Sequence, residues 1–240
     1  MDNSKITKAA RKALKLRFCG AVIVAAGSAS RMGGIDKVMA PLKGEPMIVH
    51  TVRAFQACDA IREIVIVTRP DLILPITDLC RGLDKVTAVV AGGKSRQESV
   101  NLGMNALSEK VELAAIQDGA RPLVTWQLID RVVRAANSYG AAVPVIPVKD
   151  TDKVCDVSLV ISTPDRSGLR AVQTPQVFDF DLLRGAMKKV EMEKLEITDD
   201  CSAVELLGFK VKTVEGDERN LKVTTPFDLK VAEMLMEETE

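Results

Sequence analysis

Short apolar runs alternate along the chain with longer segments in which apolar positions recur at helical spacing. The apolar runs, rich in Val, Ile and Ala, are residues 20–26, 63–68, 86–91, 113–117 and 141–148. Helical patterns lie between them near 46–57, 95–108 and 125–138. Parallel strands covered by helices on both faces produce this alternation. The sequence therefore predicts an α/β fold with a doubly wound, mostly parallel sheet.

The alternation breaks between 147 and 172. A polar stretch leads to a short apolar run at 157–161, and Pro164, Asp165 and Gly168 then mark turns. Strand, turn and strand without a helix predict a projecting β-hairpin. An isolated hairpin is marginally stable in water, so we expect it to pack on the same hairpin of a twofold partner.

Amphipathic segments at 179–194 and 198–207, a strand at 209–214 and a helix after Pro226 complete the predicted order. We expect a single domain over 19–240 with 149–170 as a dimerisation arm. Residues 1–18 carry six Lys or Arg against one acid but have no continuous apolar stretch. They are interpreted as an N-terminal extension rather than a targeting peptide.

Charge and composition narrow the classes of partner. Thirty-three Lys and Arg balance thirty-three Asp and Glu, and the few aromatic residues are scattered, so we expect no nucleic-acid partner. The apolar runs are far shorter than the roughly 18 residues of a membrane span, so we expect no membrane partner. Five widely spaced cysteines without a C-x-x-C pair are typical of reduced thiols, which predicts a cytoplasmic protein.

The loop at 25–37, directly after the first apolar run, has the composition of a phosphate site. Ligands of open α/β sheets bind where strands end, and Gly27 lets backbone N–H groups approach phosphate oxygens there. Arg31 and Lys37 can place two cations on a polyphosphate, which suits a leaving pyrophosphate. The spacing matches neither a Walker loop nor a dinucleotide fingerprint. A plain loop with incidental Arg and Lys is the alternative.

Two further strand ends carry candidate chemistry. Ser95 is placed to cap a helix whose first turn holds Arg96 and Ser99, although an ordinary helix entry also explains the serine. Asp118 follows the fourth strand and is a candidate Mg²⁺ ligand, to be completed by phosphates and waters. A loop-capping aspartate is the alternative. His50, the single histidine, has no partner for a zinc site or a triad, so we expect it to have a structural role.

Several blocks along the chain match known sequence motifs in order. The loop at 25–37, with AAG, RM and a lysine, resembles the signature loop of sugar-nucleotide pyrophosphorylases and cytidylyltransferases. The later blocks narrow the match: GGKSRQESV at 92–100, QDGARP at 117–122, AVQTPQ at 171–176, ITDDCS at 197–202 and NLKVTTP at 220–226. Together they resemble the 2-C-methyl-D-erythritol 4-phosphate cytidylyltransferase family, over about residues 18–240. The resemblance implies a nucleotidyltransferase, Rossmann-like fold and transfer of CMP from CTP to 2-C-methyl-D-erythritol 4-phosphate with Mg²⁺.

The resemblance also implies residue roles. Arg31, Lys37 and Lys222 would stabilise the transition state, with Lys222 close to the α-phosphate. The nucleotide would be bound by Ala25, Ala26, Gly27, Gly93, Arg96 and Ser99, and the acceptor by Arg121, Thr151, Arg166 and Thr174. Thr151 and Arg166 lie in the predicted arm and would reach the site of the partner subunit in a homodimer. Without the resemblance, the residues of one group would each be interpreted as a solvated charge or a turn threonine: Arg121, Thr151, Arg166, Thr174 and Lys222.

One block departs from the family pattern. The family usually has His-Asp-Ala-Ala-Arg-Pro where this chain has Gln117 and Gly119 around Asp118. The carboxylate is retained, so the expectation of a metal ligand stands. A ribitol-5-phosphate cytidylyltransferase, or a non-catalytic nucleotide-binding dimer, remains the alternative function.

Overall fold

The computed structural model describes residues 16–27 and 37–238. Its strands are β1 Cys19–Val24, β2 Pro41–Leu42, β3 Glu45–Pro46, β4 Ile61–Thr68, β5 Val86–Ala91, β6 Leu113–Asp118, β7 Ala141–Pro147, β8 Val154–Asp156, β9 Leu159–Ser162, β10 Arg170–Val172, β11 Gln176–Asp179 and β12 Lys212–Glu215. Its α-helices are α1 Met47–Ala57, α2 Ile73–Leu79, α3 Arg96–Asn105, α4 Trp126–Tyr139, α5 Phe180–Glu193, α6 Asp200–Glu205 and α7 Pro226–Glu237.

The central sheet has the strand order β10-β7-β11-β6-β1-β4-β5, and β12 pairs with β7. Strands β6, β1, β4 and β5 run parallel to one another, and β12 runs parallel to β7. The predicted mostly parallel α/β sheet is therefore confirmed. The antiparallel strands β10 and β11 were not predicted from the sequence: β11 pairs with both β6 and β7, and β10 with β7.

Helices cover both faces of this sheet because successive β-strand side chains point in opposite directions. Ile23 belongs to a buried cluster that also contains Phe55 of α1 and Val132 of α4. The adjacent Val22 belongs to the cluster of the other face, with Val100 of α3 and Met187 of α5. Burial on both faces explains why the strands read as continuous apolar runs.

Polar side chains fix where the helices begin. Ser95, Thr125 and Asp179 each accept a hydrogen bond from the backbone N–H three residues later, which satisfies one of the unpaired donors of the first turn. The predicted N-cap at Ser95 is thus confirmed. Because α3 starts at this point, the segment 92–99 is held at the end of β5.

The predicted hairpin is present as β8 and β9, which pair antiparallel in a small sheet of their own. Its apolar side chains are exposed, namely Val154, Val157, Leu159, Val160 and Ile161. No helix in the described part of the chain is long and apolar enough to cross a bilayer. The N-terminal extension falls outside the described residues up to position 15.

Candidate active site

A cleft of about 390 Å³ opens where β1, β5 and β6 end. Carboxyl ends of neighbouring parallel strands meet at one edge of a sheet, so loops that are distant in sequence converge there. Backbone hydrogen bonds tie the strand ends together, from Ala25 N–H to the Val67 carbonyl (2.7 Å) and from Gly119 N–H to the Val24 carbonyl (2.9 Å). Nine of the predicted site residues line this cleft: Ala25, Ala26, Gly27, Lys37, Gly93, Arg96, Ser99, Asp118 and Lys222.

Two glycines let the segment after β5 lie directly against its neighbours. A Cβ atom added at Gly92 would come within 2.4 Å of the Ala26 Cβ, and one at Gly93 within 2.2 Å of the Glu98 Cγ. The Gly93 N–H donates to the Ser99 hydroxyl at 3.1 Å, and that hydroxyl donates to the Ser95 carbonyl at 2.9 Å. Ser99 is buried, so its side chain fastens this wall of the cleft to the first turn of α3.

Asp118 is the carboxylate at the centre of a cationic cluster. Lys222 Nζ lies 2.9 Å from Asp118 Oδ2, Arg121 Nε 3.5 Å from the same oxygen, and Arg96 Nε 3.7 Å from Oδ1. Burial by itself would raise the pKa of Asp118, but the charges of Lys222, Arg96 and Arg121 outweigh burial and hold this pKa below its ordinary value. Asp118 is therefore ionised at neutral pH.

Arg96 is held from behind by Asp200, a fully buried residue. The two terminal nitrogens of Arg96 donate to the two carboxylate oxygens of Asp200 at 2.9 and 2.7 Å. Burial lowers the pKa of the Arg96 guanidinium, but the Asp200 charge more than compensates and raises it above its ordinary value. A bidentate pair of this kind fixes the plane of the guanidinium.

Arg121 and Thr174 lie behind Asp118 rather than on the wall of the cleft. The Asp118 N–H donates to the Thr174 hydroxyl at 3.1 Å. Arg121 Nη1 donates to the Asn220 carbonyl at 2.7 Å, and the Asn220 side-chain amide donates to the Thr174 carbonyl at 2.9 Å. Burial lowers the pKa of Arg121, and the neighbouring charge of Asp118 opposes that effect. These bonds set the position of the segment that carries Lys222.

The remaining predicted site residues are not in the cleft or are not described. Thr151 and Arg166 are exposed and do not line the cleft. Arg166 Nη1 donates to the Lys149 carbonyl of its own chain at 2.7 Å. Arg31 lies outside the described residues. His50 hydrogen-bonds through Nε2 to the Leu42 carbonyl at 2.9 Å, which fits the structural role expected for it.

Comparison with known proteins decides the family. A family model described as 2-C-methyl-D-erythritol 4-phosphate cytidylyltransferase matches residues 19–238. The chain belongs to this family. The resemblance of the sequence blocks is thereby confirmed, and with it the assignment to the cytidylyltransferases.

Relatives of the same name extend over nearly the whole chain. The 2-C-methyl-D-erythritol 4-phosphate cytidylyltransferase of Caldanaerobacter subterraneus is 43% identical over 225 residues, covering 90% of this chain and 97% of that protein. A crystal structure of 4-diphosphocytidyl-2C-methyl-D-erythritol synthase from Anaerococcus prevotii superposes with a TM-score of 0.83 at 30% identity, covering 92% and 99% of the two chains. The Thermus thermophilus cytidylyltransferase gives a TM-score of 0.75 at 34% identity, covering 90% and 98%. The predicted nucleotidyltransferase-like fold is confirmed.

The residues that line the cleft suit a metal ion whose other ligands are substrate phosphates and water molecules. Asp118 supplies the carboxylate among the residues that line it. Within the described ranges, no three His, Cys, Asp or Glu side chains converge as a metal cage would require. Mg²⁺ is commonly held by one or two carboxylates together with substrate phosphates and waters, so these residues fit it.

Three buried residues of the site region were assigned no role from the sequence. Asp200 and Asn220 are fully buried and position Arg96, Arg121 and Thr174. Both lie in blocks that resemble the family, at 197–202 and 220–226, but the blocks alone do not show which side chain supports which. Gln117, also fully buried, has no hydrogen-bond partner for its amide within the described structure.

Proposed function

We propose that this protein transfers CMP from CTP to 2-C-methyl-D-erythritol 4-phosphate, giving 4-diphosphocytidyl-2-C-methyl-D-erythritol and pyrophosphate. The observation that carries the proposal is the family match over 19–238, which spans every element that lines the cleft. The cationic character of the cleft supports it, because both substrates and the leaving group are anions.

The reaction is an in-line displacement at the α-phosphorus. An oxygen of the acceptor phosphate forms the new P–O bond, and the bond from the α-phosphorus to the bridging oxygen of the leaving pyrophosphate breaks. The attacking phosphate is already ionised at neutral pH, so the site needs no protein base. Lys222 and Lys37 stabilise the charge that develops in the transition state, together with Arg31 of the loop.

The nucleotide lies between the two glycine-containing segments. Ala25, Ala26 and Gly27 present backbone to the phosphates, and Gly93 presents backbone to the base and ribose. Arg96 contacts the nucleotide from the first turn of α3, in an orientation that Asp200 fixes. Ser99 keeps the Gly93 segment in place through its hydroxyl.

Asp118 would hold Mg²⁺, which would neutralise charge on the nucleotide phosphates when bound. Arg121 and Thr174 belong to the acceptor side of the site, next to Lys222. Because both are buried behind Asp118, they contribute by fixing the local geometry as well as by charge.

The enzyme acts as a homodimer in which the arm completes the acceptor site of the partner with Thr151 and Arg166. Five exposed apolar side chains of the hairpin, four on β8 and β9 and one at the tip, support this, since an uncovered apolar hairpin is typical of an interaction surface. Val157 at the hairpin tip is fully exposed and has a φ of 50°, a conformation that is unfavourable for a β-branched residue. A partner contact at the tip would explain both features.

The protein acts in the cytoplasm. The five cysteines are free in the structure, and four of them are buried. Buried free thiols are typical of proteins from reducing compartments.

Release of pyrophosphate from CTP tests the function. The purified protein is given CTP and Mg²⁺ with 2-C-methyl-D-erythritol 4-phosphate, with ribitol 5-phosphate, or with no acceptor. We expect release with the first acceptor alone and a product whose mass equals that of CMP joined to the acceptor. Release with ribitol 5-phosphate alone would assign the other acceptor, and no release with either would remove the proposed function.

A further inference from the structure

Each oxygen of the proposed metal ligand already faces a protein cation. Lys222 Nζ and Arg121 Nε lie 2.9 and 3.5 Å from Oδ2 of Asp118, and Arg96 Nε lies 3.7 Å from Oδ1. Of these contacts, the one from Lys222 is at hydrogen-bond distance. A metal ion that binds Asp118 must therefore compete with an ammonium group for its carboxylate.

The charges around Asp118 do not favour a free cation. Three positive groups, Arg96, Arg121 and Lys222, are the ion-pair partners of Asp118, and the negative charges of Asp200 and Asp199 act on Arg96. Asp200 is a carboxylate in this cluster because both its oxygens accept hydrogen bonds from Arg96, which stays protonated. Lys94 lines the same cleft and adds further positive charge.

The two partners of the closest pair differ in mobility. Asp118 is 7% exposed, and its backbone N–H donates a hydrogen bond to the Thr174 hydroxyl. Burial and this hydrogen bond restrict the movement of Asp118. The Lys222 side chain is 42% exposed and has solvent on one side. Lys222 is therefore the partner that can move, and the phosphates of a nucleotide are the anions toward which it would move.

We infer that the cleft excludes free divalent metal and admits it only together with the nucleotide triphosphate, because Lys222 occupies Asp118 until phosphate draws it away. This inference rests on the proposed function for the identity of the nucleotide. A metal–triphosphate complex carries net negative charge, so the same cluster that repels the free ion attracts the complex. Metal and nucleotide consequently enter in one step, and Lys222 passes from the carboxylate to the α-phosphate.

Binding of Mn²⁺ alone tests the inference. Mn²⁺ is titrated into the wild-type protein and the signal of the free ion is followed by electron paramagnetic resonance, with and without α,β-methylene CTP, which cannot release pyrophosphate. The analogue itself chelates Mn²⁺, so each titration with nucleotide is compared with the same titration without protein. We expect the wild-type protein to leave the free Mn²⁺ signal unchanged without nucleotide and, with the analogue, to deplete it beyond the depletion that the analogue gives alone. Depletion of the signal by the wild-type protein without nucleotide would overturn the inference without any variant.

Variants identify the residue responsible. Lys222→Met removes the competing charge, and we expect it to bind Mn²⁺ without nucleotide roughly tenfold or more tightly than wild type. Lys222→Arg keeps the charge and is the matched control, which should exclude Mn²⁺ as wild type does. Adding Asp118→Asn to Lys222→Met should abolish the gained binding. If Lys222→Met binds Mn²⁺ no better than wild type, Lys222 does not occupy the site.

The Mn²⁺ titration tests this inference and the transfer assay tests the proposed function, and either one can fail while the other stands. A protein that transfers CMP but binds Mn²⁺ equally well without nucleotide keeps its proposed function and loses this inference. A protein that excludes free Mn²⁺ yet releases no pyrophosphate with either acceptor loses the proposed function, while the competition between Lys222 and metal stands.

Discussion

Arg96 and Asp200 lie 104 positions apart in the sequence and meet in a bidentate ion pair with nitrogen–oxygen distances of 2.9 and 2.7 Å. The aspartate is fully buried at the start of α6, whereas the arginine side chain reaches the cleft from the first turn of α3. Asp200 does not line the cleft itself, so an effect of Asp200 on a bound nucleotide would pass through Arg96.

We predict that Asp200→Ala destabilises the protein by roughly 3 kcal/mol, because removing one member of a buried pair leaves the other charge uncompensated. We predict that Asp200→Asn, which keeps the shape, raises the KM for CTP roughly tenfold with a smaller change in kcat, since the guanidinium loses a charged partner and a fixed plane. Urea unfolding and CTP titrations of pyrophosphate release measure the two effects.

Asp78→Asn is the matched control for this pair. Asp78 pairs with Arg81 at 2.8 Å, but both side chains are more than half exposed. Exposed pairs contribute about 0–1 kcal/mol, so neither stability nor KM should change appreciably. A KM for CTP that is unaltered in Asp200→Asn would show that Asp200 only stabilises the fold.

The strands that carry the cleft were predictable because their local pattern and their environment agree. Strands β1, β4, β5 and β6 are covered on both faces and read as apolar runs. Strands β10 and β11 escaped detection because each is three or four residues long, and polar Gln176 and Asp179 flank the buried Val177 and Phe178 of β11. Their place in the sheet depends on pairing with β7 and β6, which no local pattern specifies.

The residues that line the cleft were predictable for a similar reason, but the buried residues that position them were not. A strand end followed by Gly, Lys or Asp marks a ligand site locally, as at Gly27 and Asp118. Asp200 and Asn220 act through contacts made 46 to 104 positions away, so their roles appear only once the chain is folded. Local composition also gave no sign that Arg121 and Thr174 would be buried behind Asp118.

We predict that Lys37→Ala lowers kcat by about 100- to 1000-fold, the usual cost of removing one preorganised electrostatic contact to a transition state. Lys37 is partly exposed at the cleft, so the fold should be retained. The measurement is steady-state pyrophosphate release beside thermal unfolding. Lys110→Ala is the control, because Lys110 is exposed and precedes β6, at the opposite end of that strand from Asp118. A kcat within a few-fold of wild type for Lys37→Ala would remove it from the mechanism.

A second prediction of stability concerns Thr225 and Asp228, which form a capping box at the start of α7. Asp228 Oδ2 accepts hydrogen bonds from the Thr224 N–H and hydroxyl and from the Thr225 N–H, at 2.7 to 2.8 Å. Slight burial acts to raise the pKa of Asp228, but these bonds outweigh it and lower the pKa below its ordinary value of 3.8. The stabilisation by the carboxylate is therefore complete above pH 3.8 and is lost as the pH falls through the lower pKa of the folded state.

We expect Asp228→Asn to be less stable than wild type by about 1 kcal/mol at pH 7, the usual value of a helix cap. The difference should shrink as acid protonates Asp228 in the wild-type protein. Urea unfolding of both proteins between neutral and strongly acidic pH measures it. A difference that stays constant over that range would show that the charge of Asp228 does not contribute.

The last prediction concerns the assembly of two chains through the arm, residues 149–170. If Arg166 acts in the site of the partner subunit, a dimer of an Arg166→Ala chain and a Lys37→Ala chain carries both lesions in one site and has its other site intact. We expect each homodimer alone to be almost inactive. Random exchange should therefore restore about a quarter of wild-type activity, since half of the dimers are mixed and each has one working site. Pairing Lys37→Ala with Asp118→Asn is the matched control: both residues belong to the same chain's cleft, so every site in the mixed dimer keeps one lesion and no activity should return. Exchange is verified by native mass spectrometry, and a verified mixed dimer of the first pair that stays inactive would place Arg166 outside the partner's site.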